Sequence, residues 1–568
     1  MNKKRFNFTD EYDIIMIEVI QLISEILNKI KETINKILNE QGVTEAYEVF
    51  FDVPKDPSFG DYSTNISMRL AKVLKKAPLV IATELINNID LESHHLSKIE
   101  TAGSGFINFY LDKNYLANVV FKILVEKENF GNTNIGNNEK VLLEFVSANP
   151  TGYLHIGHGR GASYGDSMAR IMKKAGFDVA TEHYVNDAGN QIHNLIESIY
   201  ARYLELHGLA FHLGEDSYHG KEIIEIAEKI KEEKGDYFLK NSYADYFRLV
   251  GLNYLLNGLK KDLQDFNVTF DHWFSEKSLY DNDEVAKTLA YLKEQGHTYV
   301  SEGAVWLKTT AYSDEKDRVI IKSDGSLTYL APDIAYHMNK LNRGYTCLID
   351  VLGADHHGYI NRLKSAIYLA GGSPEAINID ILQMVRAIKD GEEVKMSKRS
   401  GKAITLRDLM DEVGSDALRF FYSSKSLSTH MDLDLDLAVK NSNENPVYYV
   451  QYAYARINSL FRVFSENHQE FIPAQEFKVL DMNEIYNLVK VLLQYPAYIA
   501  EVATKRLPHK ICQYALMLAG ELHSYYNDHK IITENKEETA ERLTLLRAVQ
   551  IVLKDSLSLI GVGIKEKM

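Results

Sequence analysis

A chain of 568 residues is long enough for three to four domains, and its 45% hydrophobic residues are ample for their cores. The formal net charge of −15 excludes attraction of nucleic acid by the field of the whole molecule, so such a partner must be met by local basic patches and by shape. Only two cysteines, Cys347 and Cys512, stand far apart without spaced partners, which excludes a disulfide framework and a thiolate zinc site.

Residues 1–125 begin with an amphipathic helical pattern over 13–40. Acids interrupt its apolar part, so it reads neither as a signal peptide nor as a membrane span, and a cytoplasmic location is expected. Turn residues Pro54, Pro57 and Gly60 follow, then a second helical run over 65–76. Ala102-Gly103-Ser104-Gly105 leads into the alternating Phe106 to Leu111, a strand, so a small α+β domain is expected. The polar stretch 132–140 reads as a linker.

Val141, Leu142, Leu143, Phe145 and Val146 form an apolar run of strand length, closed by Asn149, Pro150 and Gly152. Two histidines, His155 and His158, come next, spaced to share one helix face. Gly157, Gly159, Gly161 and Gly165 stud the helical pattern that follows. Each helical glycine costs about 1 kcal/mol relative to alanine, so four of them ask for a reason such as the close approach of a ligand or of another backbone. The N-terminus of such a helix attracts anions.

A second strand over 179–185 completes a βαβ unit and implies a parallel sheet. Residues 192–300 are mostly helical and charged, with 228–234 a solvated helix face. A third strand, 346–352, runs into Gly353-Ala354-Asp355-His356-His357-Gly358 and returns the chain to the sheet. The expected fold is multidomain α/β. Its parts are a small α+β N-terminal domain, a doubly wound, Rossmann-type catalytic domain over 126–430 with a helical insertion at about 192–300, and an all-helical domain over 431–568. Ligands of such sheets lie outside the C-terminal strand ends, so both histidine-bearing loops should face one crevice.

A second motif, Lys395-Met396-Ser397-Lys398-Arg399-Ser400-Gly401-Lys402, is open to two readings: a solvated charge run, or a clamp on a phosphate whose charge grows in a transition state. For His155 and His158 the residues alone leave surface histidines and a ligand site as alternatives. Zinc finds no third ligand at a customary spacing, so no metal site and no zinc are expected.

Together the two motifs resemble the HIGH and KMSK signatures of class I aminoacyl-tRNA synthetases. Further stretches resemble arginyl-tRNA synthetases of the bacterial type: Glu144 to Gly152, Tyr184 to Gly189, Asp416-Ala417-Leu418-Arg419, and Asn445 to Ala453. Lys55-Asp56-Pro57 and Gly105 to Phe109 resemble that family's N-terminal tRNA-binding module, and the likeness spans essentially the whole chain. One departure is that the second lysine, Lys398, is kept where many arginyl enzymes lack it.

The resemblance implies ligation of L-arginine to its cognate tRNA through an arginyl-adenylate, with release of pyrophosphate and AMP. It implies ATP, entering with Mg2+, against His155, Gly157, His158, Gly353, Asp355, His356, Lys395, Met396, Ser397 and Lys398. Of these, His155, His158, Lys395 and Lys398 are the expected catalytic residues. Arginine falls to Glu144, Asn149, His155, Tyr329 and Asp333. The chemistry agrees, because a guanidinium is a planar fork of donors that pairs best with carboxylates, and Glu144 is the only charge inside its apolar run. Rings that stack on the tRNA anticodon loop are expected at Tyr449, Tyr452 and Tyr526, with Lys505, Arg506 and Lys510 near its phosphates. A monomer without membrane contact is expected. The alternatives are another class I synthetase, a non-catalytic tRNA-binding protein on the same scaffold, or a small-molecule nucleotidyltransferase; the last leaves the helical C-terminal domain unexplained.

Overall fold

In the computed structural model, residues 21–43, 47–54, 56–214, 216–394, 404–466 and 470–568 are described. The expected motif 395–402 lies outside them, as does the side chain of His357.

The N-terminal unit is an antiparallel sheet of β1 (Tyr62–Thr64), β2 (Leu96–Ala102) and β3 (Phe106–Leu111), with β3 central. Helices Gln21–Glu40, Ile66–Leu74 and Pro78–Ile86 accompany it. The next helix, Lys113–Glu126, belongs elsewhere: it packs on the C-terminal helices Met482–Lys505 and Lys536–Leu559. The N-terminal unit thus closes at the end of β3, before the boundary expected at 125.

The central sheet is wholly parallel, in the order β11-β10-β4-β5-β6, built from β4 (Lys140–Glu144), β5 (Asp178–Val185), β6 (His272–Ser275), β10 (Cys347–Gly353) and β11 (Ile377–Leu382). Its strands are apolar on both faces because both are covered. Val141 and Leu143 face one core cluster together with Ile349, whereas Leu142, one step along the pleat, enters a second with Leu348 and Ile377. Glu144 shares the phase of Leu142, so it points at the helix Leu330–Asn342, which supplies Leu330 and Ile334 to the same cluster.

The expected insertion at about 192–300 is divided by the sheet. Helices Asn190–Leu206, Lys221–Lys234 and Ala244–Asp265 separate β5 from β6, which itself returns to the sheet inside that range. A small antiparallel sheet follows, β7 (Thr298–Ser301), β8 (Ala304–Leu307) and β9 (Arg318–Ile321). The strand of four residues at β6 is too short and too mixed for a periodicity argument to find it. Past the expected boundary at 430, β14 (Met431–Asp434) still pairs in parallel with β12 (Val385–Lys389), which is also flanked by the two-residue β13 (Glu392–Glu393). The helical domain proper begins at Pro446–Glu466 and continues through Met482–Lys505, His509–Asp528 and Lys536–Leu559.

Candidate active site

The crevice lies where β4 ends and the helix Ile156–Lys174 begins. Between them, Val146 and Ser147 hold left-handed backbone conformations, φ 67° and 40°, costly for a β-branched residue and kept only where surrounding contacts over-determine them. The Ser147 hydroxyl supplies such contacts: it donates to Glu144 Oε1 at 2.7 Å and accepts the Tyr184 N–H at 3.1 Å.

His155 caps the helix. Its Nδ1 accepts from the Gly157 N–H at 3.1 Å, and the His158 Nδ1 accepts from the His155 N–H at 3.1 Å. The rings stack 3.6 Å apart. With both Nδ1 atoms accepting, the neutral tautomer carries its proton on Nε2, so each ring presents an N–H donor. Burial, aided by His155 and His183, pushes the His158 pKa down to about 3, so it acts as a neutral donor at physiological pH. Two of the helical glycines are explained by packing. A Cβ at Gly165 would stand 2.1 Å from the Phe145 ring, and one at Gly159 would stand 2.8 Å from Leu406.

The residues that flank 395–403 are placed, and those after it meet the start of this helix. Val394 bonds back to Ala387, Thr405 bridges His155, and the Leu406 N–H donates to the Leu154 carbonyl at 2.7 Å. Arg160, fully buried, reaches the carbonyls of Gln383, Ser426 and Thr429, each at 2.8 Å. The helix is thereby tied to the start of β12, the strand that leads into the segment.

On the opposite wall, Asp350, Glu144 and Glu182 lie side by side in register on β10, β4 and β5. One helix faces all three. Its Lys340 Nζ sits 2.5 Å from Glu144 and 2.7 Å from Asp350, His337 Nε2 lies 2.9 Å from Asp350, and Arg343 forks onto Glu182 at 2.6 and 2.8 Å. Lys340 is wholly buried, and breaking such a pair by removing one partner costs about 3–5 kcal/mol. This corrects the expectation for Glu144. It is buried at the strand end as anticipated, but its oxygens are already met by Lys340 and Ser147, so it is not a free acid for a substrate guanidinium.

Among the described residues, Asp333 and Glu276 have no partner of opposite charge at hydrogen-bond distance. Asp333, half-buried on the same helix, accepts the Tyr359 hydroxyl. Glu276, buried just after β6, stands near the hydroxyls of Tyr184 and Tyr280. Asn186, with its amide oriented to bond, donates to Glu276 at 3.0 Å and lies 3.3 Å from the Asn149 amide. Burial pushes both carboxyls up, and each raises the Tyr184 pKa, which puts them on one wall. Sequence reasoning missed Glu276. The usable signal was an acid two residues past Trp273-Phe274, at the end of an unrecognised strand.

The other expected residues fall around this crevice. Tyr329 is 80% exposed at the start of the helix Leu330–Asn342, and Asn149 is exposed on the loop after β4. Gly353 ends β10, and Asp355 and His356, paired at 3.5 Å, occupy the exposed turn beyond it. Among the described residues no group of three or more His, Cys, Asp or Glu could hold a metal ion, and no helix is long and apolar enough to cross a membrane. In the helical domain, Tyr449 and Tyr452 flank His523, and Arg456 lies over both Tyr452 and Tyr526 at 5.2 and 4.0 Å, so the three rings form one half-buried cluster. Arg506 is an internal strut instead of a surface cation, bonded to Asp380 at 3.0 Å beside Tyr164. Lys505 and Lys510 share Glu501.

A parallel sheet whose first strand ends at a histidine-capped, glycine-rich helix, joined to a helical C-terminal domain, is the architecture of a class I aminoacyl-tRNA synthetase. Three family models cover this chain: an arginyl tRNA synthetase N terminal domain over 24–111, the tRNA synthetases class I (R) catalytic domain over 119–441, and a DALR anticodon binding domain over 450–568. An arginine–tRNA ligase from Geobacillus kaustophilus is 49% identical over 96% of this chain and 100% of its own length, and one from Bacillus subtilis is 48% identical over 95% and 98%. The structure of Thermus thermophilus arginyl-tRNA synthetase has the same fold, with a TM-score of 0.67 at 21% identity over 95% of this chain and 100% of that one. The chain belongs to the arginyl-tRNA synthetase family.

Proposed function

We propose the following roles for the residues of an ATP-dependent enzyme that ligates L-arginine to its tRNA. The observation that carries the reading is the pair Asp333 and Glu276, two acids with no counter-charge among the described residues, beside the strand end where the histidine-capped helix starts. Asp333 and Glu276 take the guanidinium, whose fork matches carboxylates. Asn149 and Tyr329 line the same site. The substrate carboxylate attacks the α-phosphate of ATP, and negative charge grows on the departing pyrophosphate. The Nε2–H groups of His155 and His158 and the helix N-terminus meet that charge as prearranged donors, and Lys395, Met396, Ser397 and Lys398 are assigned to the same phosphates. Gly157 lets the backbone approach the nucleotide; Gly353, Asp355 and His356 line its other side. Mg2+ enters as the complex of ATP, held chiefly by the phosphates. The terminal adenosine hydroxyl of the tRNA then displaces AMP. No protein nucleophile takes part.

The test is pyrophosphate exchange over a panel of amino acids, with and without tRNA. Exchange with arginine only, and only when the cognate tRNA is present, is the expected result, and exchange with another amino acid overturns the reading.

The tRNA is read at two remote places. Tyr449, Tyr452 and Tyr526 offer stacking faces near Arg456 for unpaired bases. The N-terminal unit meets the body of the tRNA. Deleting residues 1–111, which spares the packed helix Lys113–Glu126, is expected to raise the KM for tRNA about tenfold or more, as loss of a module worth about 1.4 kcal/mol would, and to leave the KM for ATP in place. An unchanged KM for tRNA defeats that role. The reading takes the protein as a cytoplasmic monomer, which sedimentation and fractionation address.

A further inference from the structure

The row of acids at the strand ends poses an electrostatic problem that the reaction itself does not require. Asp350, Glu144 and Glu182 stand in adjacent registers on three central strands, and a single helix faces them with His337, Lys340 and Arg343, spaced three residues apart. Residues three apart share a helix face, so the helix forms a ladder of cations matched to a ladder of acids. Lys340 is its centre. Its ammonium touches two carboxylates, is wholly buried, and lies 4.3 Å from the Tyr336 ring centroid, so no bulk water can replace it. Of the carboxylates it serves, Glu144 has a second duty: it accepts the Ser147 hydroxyl, which fixes the left-handed turn that carries Asn149 into the crevice.

We propose that Lys340 is a positioning residue for the amino acid site, holding Glu144 as the carboxylate that locks Ser147 and the 146–149 turn, while Asp333 and Glu276 are left as the acids open to a cationic substrate. The inference rests on the arginine-activating reading above. Lys340 does not touch substrate. The groups that face Glu144 and Asp350 are Lys340, His337, Asp333 and Tyr336 from the helix, Ser147 from the turn, and Glu182 from the neighbouring strand with its partner Arg343 from the end of the helix; Tyr184, Glu276 and Tyr359 complete the wall.

Removing the ammonium leaves two buried carboxylates with only His337 beside one of them. A carboxyl so placed is protonated more readily, and a protonated Glu144 no longer anchors Ser147 as an anion. Because the ionised form is the competent one, the acid limb of arginine kcat/KM moves to higher pH. For Lys340→Met, pyrophosphate exchange is expected to show a fall of about tenfold to a hundredfold in arginine kcat/KM at neutral pH, carried by KM, with the acid limb at least one pH unit above that of the wild type. The KM for ATP stays within threefold.

The double variant Glu144→Gln with Lys340→Met separates the routes. A limb that returns to its wild-type position places the effect in Glu144. A limb that stays high places it in Asp333, which Lys340 also influences, and overturns the proposal. Should Lys340→Met fail to fold, Ser147→Ala tests the same link at a half-buried position: a raised arginine KM is expected, and an unchanged KM overturns the proposal. Wild-type protein that shows no exchange with arginine marks failure of the functional reading instead.

Discussion

Replacing Asp333 by asparagine is expected to raise the KM for arginine in pyrophosphate exchange by about a hundredfold to a thousandfold and to leave the KM for ATP nearly unchanged. The size follows from the chemistry: removing one partner of a desolvated charge pair costs about 2–5 kcal/mol, because the other charge is then left without its counterpart. The asparagine keeps the shape and can still accept the Tyr359 hydroxyl bond, so folding is preserved. The pH dependence carries a sign as well. Burial raises the Asp333 carboxyl, and the guanidinium binds its ionised form, so arginine affinity in the wild type declines as pH falls through that raised pKa. The variant loses this limb. A variant that loses ATP and arginine affinity equally would move Asp333 out of the amino acid site, and Glu276→Gln should reproduce the arginine defect if the two acids act as one fork.

His158→Ala is expected to slow single-turnover adenylate formation by about 10²–10³-fold, the usual weight of one prearranged donor to a developing anion. Arginine binding should change little. The defect should also be constant from about pH 5.5 to 8.5, since burial holds the His158 pKa near 3 and the ring is neutral throughout. A defect that vanishes at higher pH would mean that an imidazolium, and not a neutral N–H, meets the phosphate. Alanine also removes the acceptor for the His155 N–H. His158→Asn, which can restore that bond, therefore separates loss of the helix cap from loss of the donor.

The strand–turn–helix unit is legible in the sequence because its parts are contiguous. An apolar run, a Pro/Gly turn, two histidines and a glycine-rich helix follow one another within 26 positions, from Val141 to Asp166, and their geometry is set by backbone hydrogen bonds within the segment. Of the four glycines expected to mark approach of a ligand or another backbone, Gly165 and Gly159 make room instead for side chains, Phe145 and Leu406, one of them far along the chain. The rings Tyr449 and Tyr452 fell together by helical spacing, but Arg456 and His523 as their neighbours followed only from packing two helices.

The carboxylates at the strand ends are harder to read, for a physical reason. Glu144 was recognisable as an acid forced into an apolar strand, but whether its charge is available to a ligand depends on what stands opposite, and Lys340 arrives from 196 positions further along. Glu276 was hidden behind a strand of four residues whose pattern carries no period. Local sequence therefore determined the strand–turn–helix unit, the parallel sheet it implies, the helical C-terminal domain and the family signatures. Only the tertiary structure decided which carboxylates are neutralised from within and which find no counter-charge among the described residues, because charge compensation is a property of contacts between distant segments and not of any one of them.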